Sequence, residues 1–314
     1  MRDVVIISAV RTPIGDFNGM FKDLSAVELG STAITAGIQR AGLTGDDVDE
    51  VIMGNVLPAG LGQNPARQAM LRAGLPMDVG CLTINKVCGS GLKAVMLGAQ
   101  AIACGDADVV VAGGMENMNQ APFYLEKGRY GYRMGNAPVM DCMINDGIWD
   151  VVNDYHMGYT AELVSEKFGI SREDMDSFAL MSTERALESM STGRFAEEIV
   201  PVSIPRRKGD PLLADTDETP RKITPEVLAR LRPAFKKDGR VTAGNASKIS
   251  DGAAALVLME KQAARKRGIP ALAAVGAQGS AGMQLEDVLV TPSNQSPRCS
   301  AKQAWRSPIS ICLK

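Results

Sequence analysis

The heptapeptide Asn85-Lys86-Val87-Cys88-Gly89-Ser90-Gly91 puts a cysteine where a short apolar strand gives way to a helix. Backbone N–H groups and the positive end of a helix dipole favour thiolate over thiol at such a place. The glycines after it remove side chains, so an acyl group can approach and the helix can pack closely. The chemistry on offer is nucleophilic: a thiolate attacks an activated carbonyl and carries the acyl group covalently. A glycine-rich turn before a helix is also a common structural feature. Spacing therefore leaves Cys88 either a reactive thiol or a small core residue. The other five cysteines, Cys81, Cys104, Cys142, Cys299 and Cys312, form no C-x-x-C pair and no metal-ligand cluster. In a reducing compartment they are free thiols. His156 is the only histidine, so Cys-His chemistry within these 314 residues has a single imidazole to draw on.

The elements around Cys88 alternate. Residues 3–10 read as a buried strand, and Ser25 caps a helix that Gly42 ends. Residues 50–56 form a second strand, and a helix over 64–74 carries Pro65 in its first turn. A short strand at 81–84, a small-residue helix near 89–103 and a buried strand at 108–112 follow. This βαβαβ rhythm predicts an α/β layered fold, a mixed sheet with helices on both faces. From Glu116 the texture changes. The next stretch holds most of the aromatics and prolines, a charged helix over 171–191 and the basic clusters Arg206-Arg207-Lys208, Arg221-Lys222 and Lys236-Lys237. We read it as an insertion. Strand texture returns at 251–259, with a helix over 260–267 and a strand from Pro270. Beyond about Leu289 no helical or strand period is visible, which reads as a loose tail.

Composition narrows the classes. The chain is 45% hydrophobic and 22% charged with a net charge of -2, so it can build a full core and favours neither nucleic acid nor an anionic membrane as partner. The apolar residues 4–10 are too short for a secretory signal, and no apolar run is expected to approach the roughly 18 residues of a membrane span. A cytoplasmic location follows as an expectation. A nucleotide-binding module would need a complete phosphate-cradling motif, but Gly60-Leu61-Gly62 lacks the third glycine and no Walker-type lysine is present.

Asn85 to Gly91 resembles the nucleophile motif of the thiolase family, and it does not stand alone. Ala9-Val10-Arg11-Thr12-Pro13-Ile14-Gly15 is similar to that family's opening. Gly54 to Gly60 followed by Gln63 to Ala69 resembles its second strand and the loop beyond. Ala112 to Met118 resembles its Gly-Gly-Met-Glu turn. Tyr155-His156-Met157-Gly158, Leu231 to Phe235 and Thr242 to Ser247 resemble segments of its loop domain. The matches run in family order from residue 1 to about 288.

The resemblance implies a thiolase-like fold divided into an N-terminal half (1–117 and 250–270), a CoA-binding loop domain (118–249), and the start of a C-terminal half with an aberrant tail (271–314). It implies an acyl-CoA substrate, acetyl-CoA above all, with Cys88 as acyl acceptor. No metal and no permanently bound cofactor are implied. The resemblance places His156 and Met157 along the pantetheine and acyl pocket, Ala243 and Ser247 at the pantetheine amides, Arg221 near the adenine or phosphate end, and Phe235 on the apolar wall. It also implies a homo-oligomer, dimeric or tetrameric.

The sequence departs from the family pattern. The family's second half supplies an Asn-Glu-Ala-Phe segment, a Gly-His-Pro histidine that activates the nucleophile and a Cys-Gly-Gly-Gly cysteine that exchanges the α-proton; none is in these 314 residues. Cys299 and Cys312 lack the glycine context, and Ala304-Trp305 falls where the family often has Gly-Trp. A shifted reading frame or altered gene end after about Leu289 is the resulting expectation; re-reading the encoding DNA in the other two frames tests it. An incomplete second half would leave carbon–carbon bond formation without its acid–base step. It would also expose an apolar face, giving poor solubility or oligomerisation.

Overall fold

The computed structural model describes residues 1–293. Cys299, Cys312, Ala304-Trp305 and the final stretch Ser307 to Lys314 lie outside the described residues.

Alternating apolar residues build the central sheet. Its main strands are β1 (Val4–Arg11), β2 (Glu50–Gly54), β3 (Gly80–Ile84), β4 (Val109–Asn117), β5 (Ser250–Glu260) and β6 (Ala273–Ala274), in the order β6-β1-β5-β4-β2-β3. A two-residue strand, Gly15–Asp16, adds to β5. β2 runs parallel to β3 and β4, whereas β5 is antiparallel to β4 and β1, so the sheet is mixed. Side chains of period two divide between the faces. Val5, Ile7, Val51, Met53, Val109 and Val111 point into one core with helices α1 (Ala26–Arg40) and α2 (Pro65–Arg72). Val4, Ile52, Val110, Ala112 and Leu258 point into the other, beneath α3 (Ser90–Cys104). Helices therefore cover both faces, as expected of the α/β rhythm.

Local chemistry explains the helix starts. Ser25 Oγ accepts from Glu28 N–H, and Glu28 returns the bond to the Ser25 backbone. Asn64 caps α2 from a left-handed conformation with Pro65 behind it. Two expectations are corrected. The Gly-Gly-Met-Glu segment is no turn: β4 continues through Gly113 to Asn117, paired along its length with β5. A Cβ at Gly113 would lie 1.9 Å from the Ala254 carbonyl oxygen, so glycine here lets two backbones approach inside a strand. An apolar run of membrane-span length also exists: residues 87–104 form an 18-residue window of mean hydropathy 1.4. Ser90, Ala94, Gly98, Ala99 and Ile102 of that window are buried, and α3 packs on β2 and β4 as one layer of the sheet core.

Contacts group the chain into two units: residues 1–147, 185–221 and 248–275, and residues 148–184, 222–247 and those from 276. In the first unit, Arg11 on β1 forms a bidentate pair with buried Asp217 (2.7 and 2.9 Å) and reaches Glu198 at 2.7 Å. The second unit holds α4 (Met157–Lys167), the first part of α5 (Arg172–Ser191) and α6 (Pro225–Arg230). A short 3-10 helix, Leu285–Val290, packs on α4, so helical structure persists past the point where the sequence period ends.

Candidate active site

Cys88 lies in the turn between β3 and α3, and its side chain is exposed. Hydrogen bonds define that turn. Asn85 Oδ1 accepts from Val87 N–H at 2.8 Å, and Lys86 N–H donates to Ser90 Oγ at 2.8 Å. Gly89 N–H donates to Lys86 O at 3.1 Å, and Ser90 N–H to Val87 O at 3.0 Å. Ser90 itself is buried against β2. A Cβ at Gly54 would stand 2.6 Å from Ser90 Cβ and 2.8 Å from Gly91 N, so the end of β2 must be glycine for α3 to start where it does.

Glu116 shapes the neighbouring turn. Its carboxylate accepts from Asn55 Nδ2 (2.7 Å), Val56 N–H (2.7 Å) and Leu57 N–H (3.2 Å). Burial pushes this carboxyl above the usual range, and the same three donors oppose the rise. The remaining described cysteines contrast with Cys88. Burial raises the Cys81 thiol to about 11, and burial with the Asp146 carboxylate raises Cys142 to about 12. Cys104 is exposed at the carboxyl end of α3, away from the turn that Asn85 and Ser90 shape. Iodoacetamide is therefore expected to alkylate Cys88 several-fold faster than Cys104, read by peptide mass against time. Equal rates would contradict the placement.

The second unit holds His156, Met157, Phe235, Ala243 and Ser247. His156 caps α4, its Nδ1 accepting from Gly158 N–H at 2.9 Å, and its ring stacks on Phe235 at 4.7 Å. A Cβ at Gly158 would meet the Phe235 ring at 2.3 Å, so glycine leaves the space the aromatic fills. Met157 opens the first turn of α4. Ala243 and Ser247 are exposed in the turn that precedes β5. Burial lowers the His156 pKa, and the bond to Nδ1 requires a neutral ring. A depressed histidine pKa gives stability that is present above the unfolded value of about 6.5 and lost as pH falls below it. The His156 ring resonance is expected to titrate below that value by NMR; titration above it would contradict a half-buried ring whose Nδ1 accepts from Gly158.

Glu162, fully buried on α4, holds the segment before Ala243: its carboxylate accepts from Arg240 N–H (2.9 and 2.8 Å) and Val241 N–H (2.8 Å). Asn245 Oδ1 takes Thr242 N–H at 2.8 Å, while Nδ2 reaches Asp176 at 2.8 Å. Sequence reasoning missed Glu162, Asp176, Asn85 and Glu116 as organisers. Asn85 and Glu116 lie inside recognised segments and Glu162 a turn beyond one, which was the signal available; Asp176, on the charged helix, carried none. Arg221 lies in the first unit, exposed, in an ion pair with Asp16 at 2.7 Å. It is thus brought together with Asp16, Cys88 with Asn85 and Ser90, and His156 with Phe235.

A mixed sheet covered on both faces by helices, with an exposed cysteine thiol in the turn before α3, defines an α/β layered protein with an accessible thiol between strand and helix. The chain belongs to the thiolase family: residues 4–262 match the family's model "Thiolase, N-terminal domain". An acetyl-CoA acetyltransferase of Pseudomonas aeruginosa is 52% identical over 306 residues, covering 97% of this chain and 78% of that protein. The acetyl-CoA acetyltransferase of Cupriavidus necator is 51% identical, again covering 97% of this chain and 78% of that protein. The crystal structure of the Bacillus anthracis acetyl-CoA acetyltransferase superposes with a TM-score of 0.95 at 39% identity, over 97% of this chain and 77% of that one.

Proposed function

We propose that Cys88 takes an acyl group from an acyl-CoA thioester and serves as the acyl carrier of an acyl-CoA C-acyltransferase. The observation that carries this is the exposed Cys88 thiol at the start of α3, seated there by Gly54 and Ser90. The sulfur attacks the thioester carbonyl, CoA leaves as its thiol with the cysteine proton, and acetyl-Cys88 remains. A second acetyl-CoA, having lost an α-proton to a base, attacks that thioester; acetoacetyl-CoA forms and the Cys88 sulfur is released. Thiolysis is the reverse. The names of the relatives support acetyl-CoA as the acyl donor. CoA thioesters act as substrates, with no permanent cofactor. We assign the CoA-handling role to the 118–249 insertion. There, His156, Met157 and Phe235 act on the pantetheine and acyl arm, and Ala243 and Ser247 act on its amides. Arg221 acts at the adenine or phosphate end, where it must exchange its Asp16 partner for the ligand. A cytoplasmic enzyme is the setting that free thiols fit. Association of copies is supported by the edge position of β3 with Leu82 exposed on it, and by the exposed Leu92 of α3.

A second reading has its own observation. The single histidine of these 314 residues caps α4 through Nδ1 and is stacked on Phe235, which fits binding and not proton abstraction at the nucleophile. On that reading the chain takes up an acyl group on Cys88 without completing condensation. Assaying CoA release and acetoacetyl-CoA separately divides the two. Release of CoA with acetoacetyl-CoA formed supports the complete reaction. Release limited to one CoA per chain supports the acyl-holding reading, and no release contradicts both.

A further inference from the structure

Val87, immediately before Cys88, has φ of 48°. A β-branched residue in the left-handed region is held there by its surroundings, because its own preference is against it. Val87 is 52% exposed, so burial of its methyl groups does not hold it. Hydrogen bonds do. Asn85 Oδ1 accepts from Val87 N–H at 2.8 Å, and the Val87 carbonyl accepts from Ser90 Oγ at 2.5 Å. Asn85 Nδ2 also donates to Val56 O at 3.3 Å, and Val56 N–H is one of the amides gathered by Glu116. Asn85 thus stands between the strained residue and a turn fixed by the half-buried Glu116 carboxylate.

We propose that Asn85 is a positioning residue for the nucleophile: it keeps Val87 left-handed and so fixes where the Cys88 thiol leaves the chain at the start of α3. The inference rests on Cys88 being the acyl acceptor. Ser90 serves the carbonyl side of Val87, but it is buried against Gly54, so its replacement would disturb packing as well. Asn85 is exposed, and a change there acts mainly through the two bonds it makes.

The test uses the full chain and iodoacetamide, with alkylation of Cys88 and Cys104 followed by peptide mass in the same sample. Cys104 is exposed at the far end of the same helix and serves as internal reference. In Asn85→Ala the Cys88 to Cys104 rate ratio is expected to fall roughly tenfold, with the Cys104 rate unchanged. Adding Val87→Gly, a residue that occupies positive φ without strain, is expected to restore the ratio to within about twofold of the original. An unchanged ratio in Asn85→Ala overturns the proposal. So does a double variant that stays slow, or a rise in both rates, which would mean general loosening. Failure of the acyl-acceptor assignment is seen independently, as absence of an acetyl group on Cys88 after acetyl-CoA is added to the unaltered protein.

Discussion

Cys88→Ala is expected to abolish the burst of about one CoA released per chain when acetyl-CoA is added. The thiol is exposed and its side chain fills no core space, so the replacement leaves the sheet and its two cores as they are. What disappears is the atom to which the proposed function assigns the thioester. The described alternatives do not substitute for it. Cys81 and Cys142 are pushed to about 11 and about 12 by burial and, for Cys142, by Asp146. Their thiolates are scarce at neutral pH. Cys104 sits at the opposite end of α3 from the turn that seats Cys88. Removal of a nucleophile from a working set costs at least roughly a thousandfold in rate, and the residual rate should be that of hydrolysis in buffer. The measurement is CoA thiol appearance over the first turnover, with the melting temperature of the variant as the control for folding. A burst of unchanged size in Cys88→Ala would remove the nucleophile from the account.

Gly54→Ala should damage both fold and site. The added carbon would stand 2.6 Å from Ser90 Cβ, 2.7 Å from Ser90 C and 2.8 Å from Gly91 N. Two of these are backbone atoms, so no rotamer change relieves the overlap. Either the end of β2 or the first turn of α3 must move. Overpacking of this kind costs about 1–3 kcal/mol. The loss of unfolded-state freedom on replacing glycine returns only about 0.4–1 kcal/mol. The clash therefore wins. Urea unfolding should show a lowered midpoint with an unchanged slope. The burst of CoA should slow as well, since Ser90 carries the hydrogen bonds to Lys86 and Val87 that shape the nucleophile turn. A variant with the original midpoint and the original burst would show that the contact is slack.

The layered sheet was legible because its signals are local. Strands with two buried faces read as apolar runs, and Ser25 and Asn64 announce their helices by cap chemistry. The position of Cys88 between strand and helix was legible for the same reason. The extension of β4 through Gly113 and Gly114 was not. Glycine lowers strand propensity, and only the approach of Ala254 across the pair explains its presence. The left-handed Val87 contradicts the preference of its own side chain, so no propensity could have found it. Glu116 and Glu162 read in sequence as ordinary charged residues. Each instead gathers two backbone N–H groups, Glu162 fully buried and Glu116 half-buried, a role visible only once distant segments meet. The pairs of Arg11 with Asp217 and Glu198 span about two hundred positions and leave no period to detect. The lowered His156 pKa comes from partial burial of a ring whose Nδ1 accepts from Gly158, neither of which spacing encodes.

The central claim is that the sulfur at position 88 accepts the acyl group. It is tested most directly by mixing the unaltered chain with radiolabelled acetyl-CoA, with and without prior alkylation by iodoacetamide, and mapping the label by peptide mass. The account predicts one acetyl group on the peptide containing Cys88, lost when that thiol has been alkylated first. Label on another residue, or none anywhere while the chain is folded, would contradict it.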